Sequence, residues 1–291
     1  MPGPTVTREE HSFVDDFGVT IHYYVWRPAS PRAIAQIVHG LGEYATRYEP
    51  LIQELVADGY IVYADDHRGH GKTGLEQWGG DHNKLGHLGK GGVRATAKEI
   101  HDLTVLARGE NPGLPLAAIG QSLGSLFLQM ILNDHADDYD AVVMTGTAYR
   151  TFFQMESGDL NKRHSSLGTS GGQEWLTRDV AVQQAFKADP LTFDAKAANL
   201  FGLLDGARLL GTPKKLARDV PIHIVIGSED PLGGPRSVEL LAQAYRKRGG
   251  LSDVSVVVYP EARHEVFNET NRAEVVAEVL AWLDAHVAST R

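Results

Sequence analysis

The chain has 291 residues, enough for one large α/β domain or two smaller ones. Its 28 Lys and Arg stand against 37 Asp and Glu, a formal charge of −9, which argues against nucleic-acid binding and polybasic membrane association. There is no cysteine, so disulfides, thiolate metal sites, iron–sulfur clusters and cysteine nucleophiles are excluded together.

The first ten residues carry neither a basic nor an apolar stretch, so no signal peptide is expected there. No apolar run approaches the roughly 18 residues of a membrane span, and the expected address is the cytoplasm. Two short alternating stretches, 11–14 and 20–26, predict paired strands around a turn at 15–18. From residue 33 the rhythm changes. Short apolar runs at 33–38, 60–64, 116–120, 141–145, 222–226 and 254–259 read as buried strands. Amphipathic stretches at 48–58, 92–108, 123–133, 237–247 and 272–287 read as helices. Strand followed by helix, repeated, predicts an α/β fold with a mostly parallel sheet and helices on both faces.

One stretch breaks that rhythm. Between Gly146 and Pro213 no buried strand is legible. A polar loop at 157–172 is followed by helical patterns at 175–188 and 194–210. The expectation is a core built from 1–146 and 214–291, with a cap inserted at 147–213. Residues Ala195, Ala198, Phe201, Leu204 and Leu209 recur at near-helical spacing, beside Leu200 and Leu203. That apolar stripe is suited to an acyl tunnel or transient contact with a lipid interface.

Gly120-Gln121-Ser122-Leu123-Gly124 follows a predicted strand and opens a predicted helix. That is the context a G-x-S-x-G nucleophile elbow requires. The pattern alone is weak, since Gly168-Thr169-Ser170-Gly171-Gly172 also matches. That second match lies in the polar loop with no strand before it, so Ser170 is expected to be a flexible-loop serine. A serine nucleophile needs a general base, and the base needs an orienting acid. Asp230 lies just past the end of the 222–226 strand, where open α/β sheets place their sites. Its neighbour Glu229 is the alternative acid. His264 occupies the loop after the last strand, and the chain order Ser, Asp, His is the one this elbow demands. The backbone N–H groups of Leu41 and Leu123 are the expected oxyanion donors. His39 reads as a structural hydrogen-bonder.

Other readings compete for the same residues. Gly40-Leu41-Gly42-Glu43-Tyr44-Ala45 matches a dinucleotide fingerprint, with Asp65 and Asp66 at the following strand end. It would leave Ser122, Asp230 and His264 without a role. Gly71-Lys72-Thr73 ends like a phosphate loop but lacks the required first glycine. Asp66, His67 and His70 with Asp81 and His82 match no zinc signature and read as a turn rich in hydrogen bonds.

At these motifs the chain resembles the α/β-hydrolase superfamily, and within it the monoacylglycerol lipase/lysophospholipase-like serine hydrolases. The resemblance runs from about Ala33 to Leu283. It is carried by the strings at 39–48, 65–71, 120–124, 175–179, 188–190, 227–231 and 263–269. It implies a core sheet of about eight strands with a helical cap after the sixth. It also implies Ser122 as nucleophile, His264 as base then acid, and Asp230 as its orienter. Glu43 and Arg47 fall near the alcohol end of the family's pocket. Gln121 stands where the family commonly has His, and Ser125 where it commonly has Gly, so both bear on the pocket floor. The implied activity is hydrolysis of monoacylglycerol- or lysophospholipid-like esters and small synthetic esters through an acyl-enzyme. No metal or organic cofactor and no nucleic-acid partner is expected. Amidase, peptidase or thioesterase chemistry would use the same triad. A non-catalytic binding protein on this fold is the remaining alternative.

Overall fold

The computed structural model describes residues 8–156, 158–194 and 196–287. Among these residues eight strands form one sheet: β1 (Arg8–Val14), β2 (Thr20–Trp26), β3 (Ala33–Val38), β4 (Tyr60–Asp65), β5 (Leu116–Gln121), β6 (Ala141–Thr145), β7 (Ile222–Gly227) and β8 (Val254–Tyr259). The spatial order is β1-β2-β4-β3-β5-β6-β7-β8. β2 runs antiparallel to both β1 and β4, and β3 to β8 run parallel to one another. Among the described residues eight α-helices accompany them: α1 (Glu49–Ala57), α2 (Gly71–Gln77), α3 (Gly92–Glu110), α4 (Leu123–His135), α5 (Val180–Ala188), α6 (Ala197–Arg208), α7 (Gly234–Ala244) and α8 (Arg272–Val287).

The continuous apolar runs of the central strands follow from coverage on both faces. Successive side chains of β5 alternate between two cores. Leu116 and Ala118 join α3, α4 and α7 on one face, while Ala117 and Ile119 join α1 and α8 on the other. Every β5 residue is therefore buried, and the run shows no alternation in sequence.

Strand ends fall within a residue of the sequence expectation except at β1, which begins earlier, at Arg8. Helix α2 was not expected. Its two glycines and lysine give little apolar periodicity, and it is held by its surroundings: the Lys72 N–H donates to Asp66, and Thr73 accepts from the His22 N–H. The helix expected at 237–247 starts three residues earlier, at Gly234, and passes after Ala244 into a π-turn over Tyr245–Gly249.

Between β6 and β7 no strand occurs among the described residues. Helix α5 begins later than expected because the Asp179 carboxylate caps it, accepting from the Ala181 and Val182 N–H groups. Helix α6 is broken at Gly202, whose φ of 67° is not helical. That break splits the apolar stripe. Leu209 joins the main core and Phe201 packs against it. Leu203 and Leu204 are 89% and 77% exposed. Of the stripe's other members, Ala195 and the Ala198 side chain lie outside what is described.

Candidate active site

Ser122 joins β5 to α4 with φ 52° and ψ −122°, one of two non-glycine residues with positive φ among those described. Such a backbone costs energy and persists only where its surroundings over-determine it. Here the Ser122 N–H donates to the Thr145 carbonyl at 2.9 Å. The Ser122 carbonyl accepts from the Leu126 N–H and from the Ser125 hydroxyl.

The flanking glycines serve close approach and not backbone freedom. A Cβ on Gly120 would stand 2.9 Å from the Ser125 Cα, and one on Gly124 would overlap the Val38 carbonyl. Close packing at Gly124 brings the end of β3 onto the start of α4. A Cβ on Gly40 would lie 3.0 Å from the Ser122 Cβ, so the loop after β3 passes directly beside the serine. Leu41 is in that loop. Leu123 is the first residue of α4, where the N–H has no acceptor within the helix.

His264 is buried, and its Nδ1 donates to Asp230 Oδ1 at 3.0 Å. Asp230 Oδ1 also accepts from the Leu232 N–H. That bond sets the imidazole so that Nε2 faces away from the carboxylate. Among the described residues the buried Nε2 has no hydrogen-bond partner. Burial alone lowers the His264 pKa, but the Asp230 carboxylate outweighs it, with Glu265 and Glu43 adding, and the pKa stands raised. The Trp175 ring packs on the imidazole at 4.7 Å between centroids. Gly146 lies against it too, where a Cβ would come within 3.0 Å of His264 Cε1.

Gln121, expected near substrate, is instead taken up inside. Its amide donates to the His264 carbonyl at 3.0 Å and accepts from the Thr145 hydroxyl. Glu43 and Arg47 belong to a buried ionic cluster. Glu43 accepts from the Gly40 N–H, the Tyr48 hydroxyl and Arg47, each at 2.7 Å. Arg47 reaches on to both oxygens of Glu265, next to His264. Burial raises the Glu43 pKa. Glu265 stands lowered, because Arg47 and Asn268 overcome its burial. The cluster thus ties the loop beside Ser122 to the loop carrying His264. Trp175 and Glu265 were not singled out from sequence. Their strings at 175–179 and 263–269 were visible, but not the roles within them.

The competing residues lie elsewhere. Glu229 pairs with Arg163. Ser170 is buried in a turn gathered around the Glu174 carboxylate, which accepts the N–H groups of Ser170, Gly171 and Gly172. It is a well-bonded turn residue, not the loosely held one expected. Asp65 bonds His67, Asp66 accepts from Ala45, Lys72 and Tyr24, and both carboxylates are buried, so neither is open to a ribose. His39 donates to the Gly40 carbonyl, accepts from the His67 N–H and stacks on His67 at 3.7 Å. Asp81 caps a separate short turn, away from Asp66.

Comparison with known proteins agrees with this architecture. Residues 29–271 match the family model described as serine aminopeptidase, S33. The monoacylglycerol lipase of Mycolicibacterium smegmatis is 30% identical over 97% of this chain and 99% of its own length. The human monoglyceride lipase is 24% identical, covering 91% of this chain and 86% of its own. A thermostable carboxyl esterase from Bacillus coagulans, solved with glycerol, superposes with a TM-score of 0.80 at 24% identity, over 97% of this chain and all of its own. With a strained serine at a strand-to-helix turn and a carboxylate-bound histidine in the family's chain order, the chain belongs to the serine aminopeptidase S33 family of α/β-hydrolases and is a monoacylglycerol lipase-like serine ester hydrolase.

Proposed function

We propose that Ser122, His264 and Asp230 form the catalytic triad, and that the substrate is a monoacylglycerol- or lysophospholipid-like ester. The observation that carries this reading is the Asp230–His264 bond of 3.0 Å, made within a site whose serine backbone is strained. Ser122 Oγ attacks the ester carbonyl carbon while His264 Nε2 takes its proton. The oxyanion of the tetrahedral intermediate is received by the Leu41 and Leu123 N–H groups. Removing one such donor typically costs about 3 kcal/mol of barrier. The intermediate expels the alcohol, protonated by His264, and leaves an acyl-enzyme. Water, activated by the same nitrogen, then releases the acid and restores Ser122.

In this reading 147–213 is a cap. Trp175 within it touches His264, and the Arg263 guanidinium donates to the Glu174 and Thr177 carbonyls. Phe152, Phe153, Leu203 and Leu204 are each at least 77% exposed in the same segment, an apolar surface suited to transient contact with a lipid interface. Among the described residues no helix is long and apolar enough to cross a membrane.

The test is hydrolysis of p-nitrophenyl esters from acetate to palmitate by the wild type and Ser122→Ala. Turnover that depends on acyl length and is lost in the variant is the expected result. Equal turnover by both proteins would overturn the triad. Amide substrates run in parallel address the peptidase reading that the family's description invites.

A further inference from the structure

Three side chains outside the catalytic site converge where α3 meets the end of α4. His101 projects from the middle of α3. His135 is the last residue of α4, and Asp138 lies in the short 3₁₀ turn Ala136–Asp138 that follows. The two imidazoles stack with centroids 3.8 Å apart and planes inclined by 23°. His101 Nε2 lies 2.8 Å from Asp138 Oδ2. One ligating atom from each residue lies within 4.8 Å of the other two. The His101–Asp138 bond accounts for two of these side chains, but not for a second imidazole laid over the first.

We propose that His101, His135 and Asp138 bind one divalent transition-metal ion, with zinc the best match, as a clip between two core helices. Two imidazole nitrogens and one carboxylate oxygen are the borderline donors zinc prefers, and three protein ligands leave a fourth position for water. Zinc bonds of about 2.0–2.1 Å place tetrahedral ligand atoms roughly 3.3 Å apart. Each ligand-atom separation must shorten by at most about 1.5 Å, and the exposed His135 must turn out of the stack so that its nitrogen lone pair points at the ion. The proton on His101 Nε2 moves to Nδ1 or to solvent as the ion binds. The turn itself is anchored, since the Asp138 carbonyl accepts from Arg108 at 3.1 Å. The C-terminal end of α4 also favours positive charge. Sequence reading expected no metal: His101 lies far along the chain from His135 and Asp138, and the three form no recognised signature.

The 13 residues of α4 separate this site from Ser122 by about 20 Å. The ion therefore acts on stability and not on the chemical step. Binding to the folded chain raises the melting temperature, and above Kd the rise grows with the logarithm of the free ion concentration.

The experiment uses the full chain without an affinity tag, treated with a chelator. Zinc is titrated calorimetrically, cobalt is titrated by its visible absorption, and melting is followed with and without zinc. One equivalent, a tetrahedral cobalt spectrum and a raised melting temperature are expected. His101→Ala and His135→Ala should each weaken binding by about tenfold or more. Metal-free ester turnover by His135→Ala should match the wild type, which also shows that this variant is folded. No saturable binding at micromolar zinc, or equal affinity in the wild type and both variants, would overturn the site.

Discussion

A serine hydroxyl is a poor nucleophile at neutral pH, so the residue that decides the rate is the one that removes its proton. As the base of the proposed triad His264 must be neutral, and its surroundings favour the charged form, raising its pKa above the ordinary histidine value. The rate constant kcat/KM should therefore rise with pH through that raised pKa. Glu265→Gln removes one of the carboxylates that hold it up, so the acidic limb of the pH profile should move to lower pH relative to the variant's own plateau. A limb that stays in place would show that Glu265 has no electrostatic hold on the histidine. Asp230→Asn should cost much more, about 10⁴ in kcat, because the imidazole loses its correct tautomer. The same groups act on stability in opposite senses. The raised pKa of His264 contributes stability that is fully present below the unfolded histidine value and lost as pH rises through the folded one. The lowered pKa of Glu265 contributes stability present above the unfolded carboxylate value and lost as pH falls through the folded one.

Elements hold these residues through contacts that tolerate no extra atom. Gly124→Ala would push a methyl group into the Val38 carbonyl and pry β3 from α4. We expect a loss of about 1–3 kcal/mol in urea unfolding, with ester turnover falling alongside. Gly109→Ala is the control. It lies in α3 with open space around it, and helix propensity alone predicts a gain of roughly 0.5–1 kcal/mol. If both substitutions behaved alike, close approach would not explain the elbow glycine. This contrast also explains what the sequence revealed. Gly120, Ser122 and Gly124 were legible because a tight junction demands those residues at that spacing, β3 to β8 because a sheet covered on both faces demands apolar runs, and the first two strands by their alternation. Glu43 was legible as a residue near the site but not as the acceptor of the Gly40 N–H, since that depends on how the chain folds back. Helix α2 and the split at Gly202 escaped because tertiary contacts override weak local preference. Gln121 was misplaced for a related reason: sequence shows that it adjoins the serine, not which way it points.

At the scale of the molecule, the sheet delivers Ser122, Asp230 and His264 to one edge, and the segment between β6 and β7 lies against that edge while presenting exposed apolar side chains outward. Burying even one leucine in a lipid interface is worth roughly 1.5 kcal/mol or more, about tenfold in binding. If Leu203 and Leu204 make that contact, exchanging both for serine should reduce turnover of monoacylglycerol in vesicles or emulsion by about tenfold or more. Turnover of the water-soluble p-nitrophenyl acetate should be unchanged. Folding should also be unaffected, because this helical segment is held to the core by Phe201 and Leu209, one on each side of the Gly202 break, and not by the exposed pair. Equal losses on both substrates would place the two leucines in the service of the catalytic site itself. Loss on neither would show that the exposed pair meets no interface, and that lipid reaches Ser122 by another approach.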